Sequence, residues 1–357
     1  MPPHLEAGEF QPLARPQLDL RRVLFYFITL AALVLIYLKF AEIRLIQELF
    51  LKSNLAWLGG IIITQVLSFY ALALNYRDVL RVKDLTVGVK ELFPITFVIQ
   101  FLNQALPSAT LSGQAFFVQY LKKYGLTVAE GIGRAVVELV TLGIAFGVFF
   151  LAASVLIYKF GVVADRPEVS YLVYLFVFIG LTFGFLFFAL QKRKRGTLAR
   201  WLIQKLHQYF EKRGTRDHTG HLAVFFDQVK VNVNISELGK RKRALAAATF
   251  WQGMVLLLSV IALYLVALAI GYPLAFPVAF VTFTLTKFIS MFAFIPGALG
   301  VFEGGMTLIL VSFGNPAQPA FAITLLFRAF TFWFPMPIGW ILFRYISHRQ
   351  ELAQRAQ

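Results

Sequence analysis

At 357 residues, with 59% hydrophobic side chains, 15% charged ones and a mean hydropathy of +0.71, the chain is too apolar for a water-soluble domain; such domains run about 45–50% apolar and about 25% charged. In so apolar a chain a formal charge of +16 suits cytoplasmic loops over anionic lipid better than it suits nucleic acid. The absence of Cys excludes disulfides, thiolate metal sites and a Cys nucleophile.

Met1 to Leu20 is polar, contains Glu6, Glu9 and Asp19, and lacks a basic segment followed by an apolar run and a small-residue cleavage site. Val23 to Phe40 therefore reads as a retained transmembrane helix. A span needs about 20 mostly apolar residues, and Leu55 to Leu74 supplies the next. Leu92 to Tyr120 is long enough but breaks at Asn103-Gln104-Ala105-Leu106-Pro107-Ser108. Pro removes a backbone donor, so this stretch predicts two half-helices joined by a turn at membrane depth. Gly131 to Tyr158 and Tyr171 to Leu190 are uninterrupted spans.

Gln191 to Ala244 holds fourteen Lys and Arg against four acidic residues, ten of the sixteen net positive charges. The excess of basic residues places this loop in the cytoplasm. Two stretches within it, Leu198 to Phe210 and Leu222 to Val233, have apolar residues at helical spacing and read as amphipathic helices on the interface. Leu245 to Ile270 is a span. Pro277 to Phe313 breaks at Ile295-Pro296-Gly297-Ala298-Leu299-Gly300, and Ala320 to Tyr345 is the last span.

With the basic loop inside, the Lys and Arg distribution closes only if both broken stretches enter and leave by the same side, as re-entrant hairpins. Both termini are then cytoplasmic. Residues 55–158 match residues 245–345 as helix, hairpin, helix of opposite orientation, an inverted repeat of the kind transporters use to build a site at the midplane. At residue level the match rests on Pro107 against Pro296 and Arg134 against Arg328.

Charges inside apolar spans cost about 2.5–3.5 kcal/mol each on insertion scales and are candidate functional groups by default. They are Arg134 and Glu138, four apart on one helix face, with Lys287, Glu303 and Arg328 around the second break. The turn at Pro296, Gly297 and Gly300 would start a half-helix whose amides and dipole favour an anion, and Lys287 and Arg328 add two cations. Asn103, Gln104, Ser108, Thr110, Ser112 and Gln114 supply uncharged hydrogen-bonding groups around the first break, shaped by Pro107. No Walker loop, G-x-S-x-G or H-E-x-x-H occurs, and His218 and His221 lack a third ligand, so neither an enzyme nor a metal or other cofactor is expected.

Pro296-Gly297-Ala298-Leu299-Gly300-Val301-Phe302-Glu303, followed by Arg328, Trp333-Phe334-Pro335 and Gly339, resembles the closing signature of the lysylphosphatidylglycerol synthase transmembrane-region family. That family includes the flippase half of the multiple peptide resistance factor and free-standing proteins of the YbhN type. Leu106 to Gly113, then Tyr120-Leu121 and the helix of Glu138, fall where the family has its first hairpin. Members often carry a Glu-Arg pair there; here Leu139 follows Glu138, and Arg134 lies one turn earlier. The chain runs about a dozen residues past its last span, so lipid aminoacylation by a soluble domain is not expected of it.

The expectation is an all-α polytopic membrane protein, one transmembrane domain over 1–357, with about six spans and two re-entrant hairpins. The resemblance implies a lipid translocase of the bacterial inner membrane that handles phospholipids with anionic or aminoacylated head groups, as an oligomer or beside a lipid-modifying enzyme, with no nucleic acid. The same architecture would serve an ion-coupled transporter of a small metabolite or a non-transporting subunit of a lipid-modifying complex.

Overall fold

A computed structural model describes residues 53–82, 85–105, 111–159, 242–291, 293 and 295–355, and all of these described residues are α-helix, 3-10 or π helix, turn or connection. Val23 to Phe40, Tyr171 to Leu190, nearly all of the basic loop, Pro107, Ser108 and Thr110 lie outside them. Four described helices are long and apolar enough to cross a membrane: Leu55–Arg81, Gly133–Ile157, Lys242–Ala269 and Ala317–His348.

Helix α1, Leu55–Arg81, starts where the Asn54 side chain accepts from the Ala56 amide at 2.9 Å, satisfying one donor that the helix start leaves open. It continues a full two turns past the apolar run that ends at Leu74. Asn75 and Asp78 are buried rather than looped out, and Asp78 accepts from Arg77 and Arg81. Ile62, Ile63, Val66, Leu67 and Tyr70 form an exposed stripe. An apolar stripe of this size suits lipid contact.

Helices α2, Val89–Ala105, and α3, Leu111–Leu121, fold back on each other. Gly113 makes this approach possible: a Cβ there would lie 2.6 Å from the Ile99 carbonyl and 2.5 Å from Asn103 Oδ1. At the open end, Tyr124 donates to Glu91 Oε2 at 2.7 Å and Lys123 pairs with the same oxygen at 3.5 Å. The two ends of this broken stretch are therefore side by side.

Helix α4, Val128–Lys159, opens on a capping box: the Thr127 hydroxyl accepts from the Glu130 amide, and Glu130 Oε2 accepts from the Thr127 amide. Ile144, Val148, Leu151 and Val155 are exposed along one face at helical spacing.

Helix α5, Lys242–Ala269, runs antiparallel to α1 along their whole length. The Asn54 amide bonds the Ala269 carbonyl at 3.1 Å at one end. Asn75 Nδ2 bonds the Ala248 carbonyl at 2.8 Å near the other. Helices α6, Phe276–Met291, and α7, Val301–Ser312, form a second hairpin around a 3-10 turn at Pro296–Ala298.

Helix α8, Ala317–Arg328, passes through a π segment, Ala329–Trp333, into α9, Pro335–Arg355. The Phe334 amide reaches back five residues to Ala329 at 2.8 Å, and Pro335, without an amide proton, opens the next helix. The sequence reading joined this region into one span, and the structure keeps it continuous with that single bulge.

The hairpins exchange neighbours. Helix α2 packs against α9, and α6 packs against α4. The first seam sets Phe101, with Phe116 of α3, at an angle against Phe343 and brings Gly339 against the Phe97 carbonyl. The second interleaves Phe146, Phe149 and Phe150 with Phe280 and Phe288. Helix α2 also touches the Pro296–Ala298 turn, so the two broken segments meet.

Candidate functional site at the two broken segments

The chain enters the second break in extended conformation at Ile295 and turns over Pro296. Gly297 has φ +57° and Gly300 φ +83°, left-handed values that glycine adopts without a Cβ penalty. Space also requires glycine at 297, where a Cβ would overlap the Phe332 ring. Ala298, at φ +52°, holds the same region with a side chain, which costs about 1–2 kcal/mol.

One ion pair holds this turn. Arg328 Nε donates to Glu303 Oε1 at 2.6 Å, and Arg328 Nη2 donates to the Gly297 carbonyl at 2.7 Å. Glu303 Oε2 accepts from the Gly300 amide at 2.6 Å. The guanidinium lies over the Phe332 ring at 4.0 Å and the Phe302 ring at 4.7 Å, a cation–π setting. The side chains of Arg328 and Glu303 are only 7% and 15% exposed. Low exposure makes the pairing necessary, because an uncompensated charge in such a place is costly.

The sequence therefore brought together residues that do meet: Pro296, Gly297, Gly300, Glu303 and Arg328. It placed the half-helix start too early. Helix α7 begins at Val301, and the amide of its N-cap, Gly300, is taken by Glu303, so the dipole end carries its own carboxylate.

Lys287 stands apart. It is eleven residues into α6, as Arg328 is eleven into α8, and each is about 16 Å along its helix at 1.5 Å per residue. Helices α6 and α8 run the same way, since α7 packs back on both, so the two cations sit at similar depth. Phe283, one turn before Lys287, contacts Phe327, the neighbour of Arg328, with ring centroids 6.1 Å apart. Lys287 is partly buried and has no hydrogen bond or ion pair with any described residue; the charge acting on it is that of Arg328. Thr286, the preceding residue, and Thr282, five residues back, are fully buried with hydroxyls that meet no partner among the described residues.

The first break is held by uncharged groups. Asn103 Oδ1 accepts from the Gly113 amide at 2.8 Å, and the Ser112 hydroxyl donates to the Leu102 carbonyl at 2.7 Å. Gln104 Oε1 is buried without a partner. Deeper in the same half, Gln114 Nε2 donates to Glu138 Oε2 at 2.9 Å and approaches the Tyr76 hydroxyl at 3.4 Å. Arg134 donates to the Glu130 carbonyl. Asn75, Tyr76 and Thr141 complete this polar group, with Asn75 Nδ2 3.4 Å from Thr141 Oγ1. The sequence reading missed Asn75 and Tyr76 because they follow the apolar window; their signal is the helical period that continues to Arg81.

The described site residues thus fall into two sets, Asn103, Gln104, Gln114, Arg134 and Glu138 in the first half, and Lys287, Glu303 and Arg328 in the second. Among the described residues no three His, Cys, Asp or Glu side chains gather as a metal ion would require.

The family model for the lysylphosphatidylglycerol synthase TM region matches residues 23–339. The chain is 20% identical over 317 residues to a UPF0104 membrane protein of Pyrococcus horikoshii, covering 87% of this chain and 93% of that one. It is 21% identical over 306 residues to a UPF0104 membrane protein of Methanocaldococcus jannaschii, covering 83% and 86%. A third, from Methanothermobacter thermautotrophicus, is 24% identical over 288 residues, covering 78% and 83%. The match runs from before α1 into α9 and takes in both broken segments, so this all-helical membrane protein belongs to the lysylphosphatidylglycerol synthase transmembrane-region family.

Proposed function

We propose that the protein is a lipid translocase that passes an amphiphile's polar head between two re-entrant hairpins while its tails remain in the bilayer. The observation that carries this reading is the meeting of the two broken segments, α2 against the Pro296–Ala298 turn, beside ionisable side chains at membrane depth. Broken helices at the interface of inverted repeats are the usual way to build a midplane site. The exchange of neighbours, α2 on α9 and α6 on α4, supports the same two-fold plan, with residues 55–158 and 245–345 as the repeats.

In this reading Pro296-Gly297-Gly300 shape the second break. Arg328 and Glu303 fix its turn, Lys287 faces the head group, and Asn103, Gln104, Gln114, Arg134 and Glu138 supply the opposing hydrogen-bonding wall. Both termini and the Gln191 to Ala244 loop lie in the cytoplasm. The relatives are archaeal, which widens the compartment from the bacterial inner membrane to the prokaryotic plasma membrane. The polypeptide carries out no covalent chemistry of its own.

The test is reconstitution of the purified full chain into liposomes with a fluorescent phospholipid in one leaflet. Dithionite-accessible fluorescence should equilibrate faster than in protein-free liposomes. A rate equal to the protein-free control across imposed proton and sodium gradients defeats the proposal.

A further inference from the structure

The charges of the second half do not balance. Arg328 is neutralised by Glu303 at 2.6 Å, and a second of its five N–H donors goes to the Gly297 carbonyl at 2.7 Å. The guanidinium is further enclosed by two aromatic rings. Its charge is therefore already offset by a carboxylate within the protein. Lys287 is the opposite case: an ammonium at the depth of Arg328, with no hydrogen-bond or ion-pair partner among the described residues and a like charge nearby. On other faces of the same helix, the buried hydroxyls of Thr286, the preceding residue, and Thr282, five residues back, also lack partners among the described residues. Buried hydroxyls without partners are costly and ask for one.

The net charge of Lys287, Arg328 and Glu303 is one positive. A protein interior at membrane depth compensates such a charge with an anion or keeps it beside water. A ligand that cancels it carries one negative charge and several acceptor oxygens for the three donors of the ammonium. We propose that the second half of the chain binds a singly anionic phosphodiester, with the Lys287 ammonium as its counter-charge. This deepens the translocase reading, on which the lipid source of the phosphodiester rests: it selects an anionic head group over an aminoacylated one, whose added ammonium would meet Lys287 and Arg328 with like charge.

The experiment is native mass spectrometry of the purified full chain exchanged into micelles doped with phosphatidylglycerol, phosphatidylcholine or lysylated phosphatidylglycerol, with sodium phosphate as a soluble competitor. Wild type should retain phosphatidylglycerol at least tenfold over each of the other two lipids. Lys287→Met should lose that preference, and Lys287→Arg should keep most of it, with all three proteins eluting as the same folded species. Phosphatidylglycerol retention undisturbed by millimolar phosphate supports the lipid as the source; displacement by phosphate supports the same anion chemistry from a soluble donor. Equal retention of all three lipids by wild type, or an unchanged preference in Lys287→Met, overturns the proposal. The wild-type comparison decides even where a variant fails to fold. A protein that prefers phosphatidylglycerol yet moves no lipid in liposomes removes the translocase reading and leaves this site standing. One that moves lipids of every charge equally does the reverse.

Discussion

Arg328 and Glu303 are twenty-five residues apart in sequence and 2.6 Å apart in space, and the carboxylate's second oxygen holds the Gly300 amide. One side chain thus couples α8 to the turn that precedes α7. Removing one partner of a buried pair costs about 3–5 kcal/mol in soluble proteins, because the other charge is stranded. Glu303→Gln should therefore lower the thermal midpoint in detergent sharply. Glu303→Gln with Arg328→Met, which removes both charges, should recover more than half of the loss. A double variant that melts lower than either single one would show that the pair is not the coupled unit described.

Gly297 carries two constraints at once, a left-handed backbone and the face of Phe332. Gly297→Ala should cost more than the roughly 1–2 kcal/mol of the backbone alone. Combining it with Phe332→Leu should restore part of the midpoint by freeing space. Melting curves of the two variants decide this, and no recovery in the pair would mean that the ring is not what limits the site.

Gly339 lets α9 approach α2: a Cβ would come within 2.5 Å of the Phe97 carbonyl and of Phe101 Cβ. Backbone cannot move aside as a side-chain tip can. Gly339→Ala should destabilise by roughly 1–3 kcal/mol, as overpacking does. Gly304, on α7, meets nothing within 4 Å, and Gly304→Ala should be neutral or slightly stabilising through helix propensity. Equal melting of the two would refute the close crossing.

The clasp across the mouth of the first hairpin is pH-dependent. The Tyr124 hydroxyl bond, followed by the Lys123 charge, holds the Glu91 carboxyl below its usual range. Burial and the bond to Glu91 hold the Tyr124 phenol above its own. The Glu91 contribution is present above about pH 4.3 and is lost as pH falls through its lowered value; that of Tyr124 is present below about pH 10 and lost as pH rises. With the Glu91 side chain 56% exposed, the contribution is below about 1 kcal/mol. Glu91→Gln should flatten the acid limb of the melting profile between pH 6 and pH 3 by a degree or two, and an unchanged limb would mean the clasp is open in solution.

The breaks in the helices were legible because Pro and Gly interrupt apolar runs, and so was Lys287, a charge alone in a run of Phe and Thr. The pairing of Arg328 with Glu303 was named only as one use of those charges, since sequence carries no distance between residues twenty-five apart. The polar extension of α1 was hidden for a different reason. Asn75, Tyr76 and Asp78 depress hydropathy, yet Asn75 is satisfied by the Ala248 carbonyl and Asp78 by two arginines, so the helix continues where a window average ends it. The π segment after Arg328 left no mark either, because its five residues are ordinary helix formers and aromatics until Pro335.

The antiparallel seam of α1 and α5 is tied near both ends, at Asn54 to Ala269 and at Asn75 to Ala248. These ties are twenty-one residues apart on each helix, about 31 Å of rise. A pair fastened at two such distant points resists both sliding and splaying, and behaves as a spindle. Around it each hairpin is seated on a long helix from the other half, α2 on α9 and α6 on α4. Cutting the chain between α4 and α5 would leave each hairpin without the seat it rests on, so the two pieces should be recovered together or not at all.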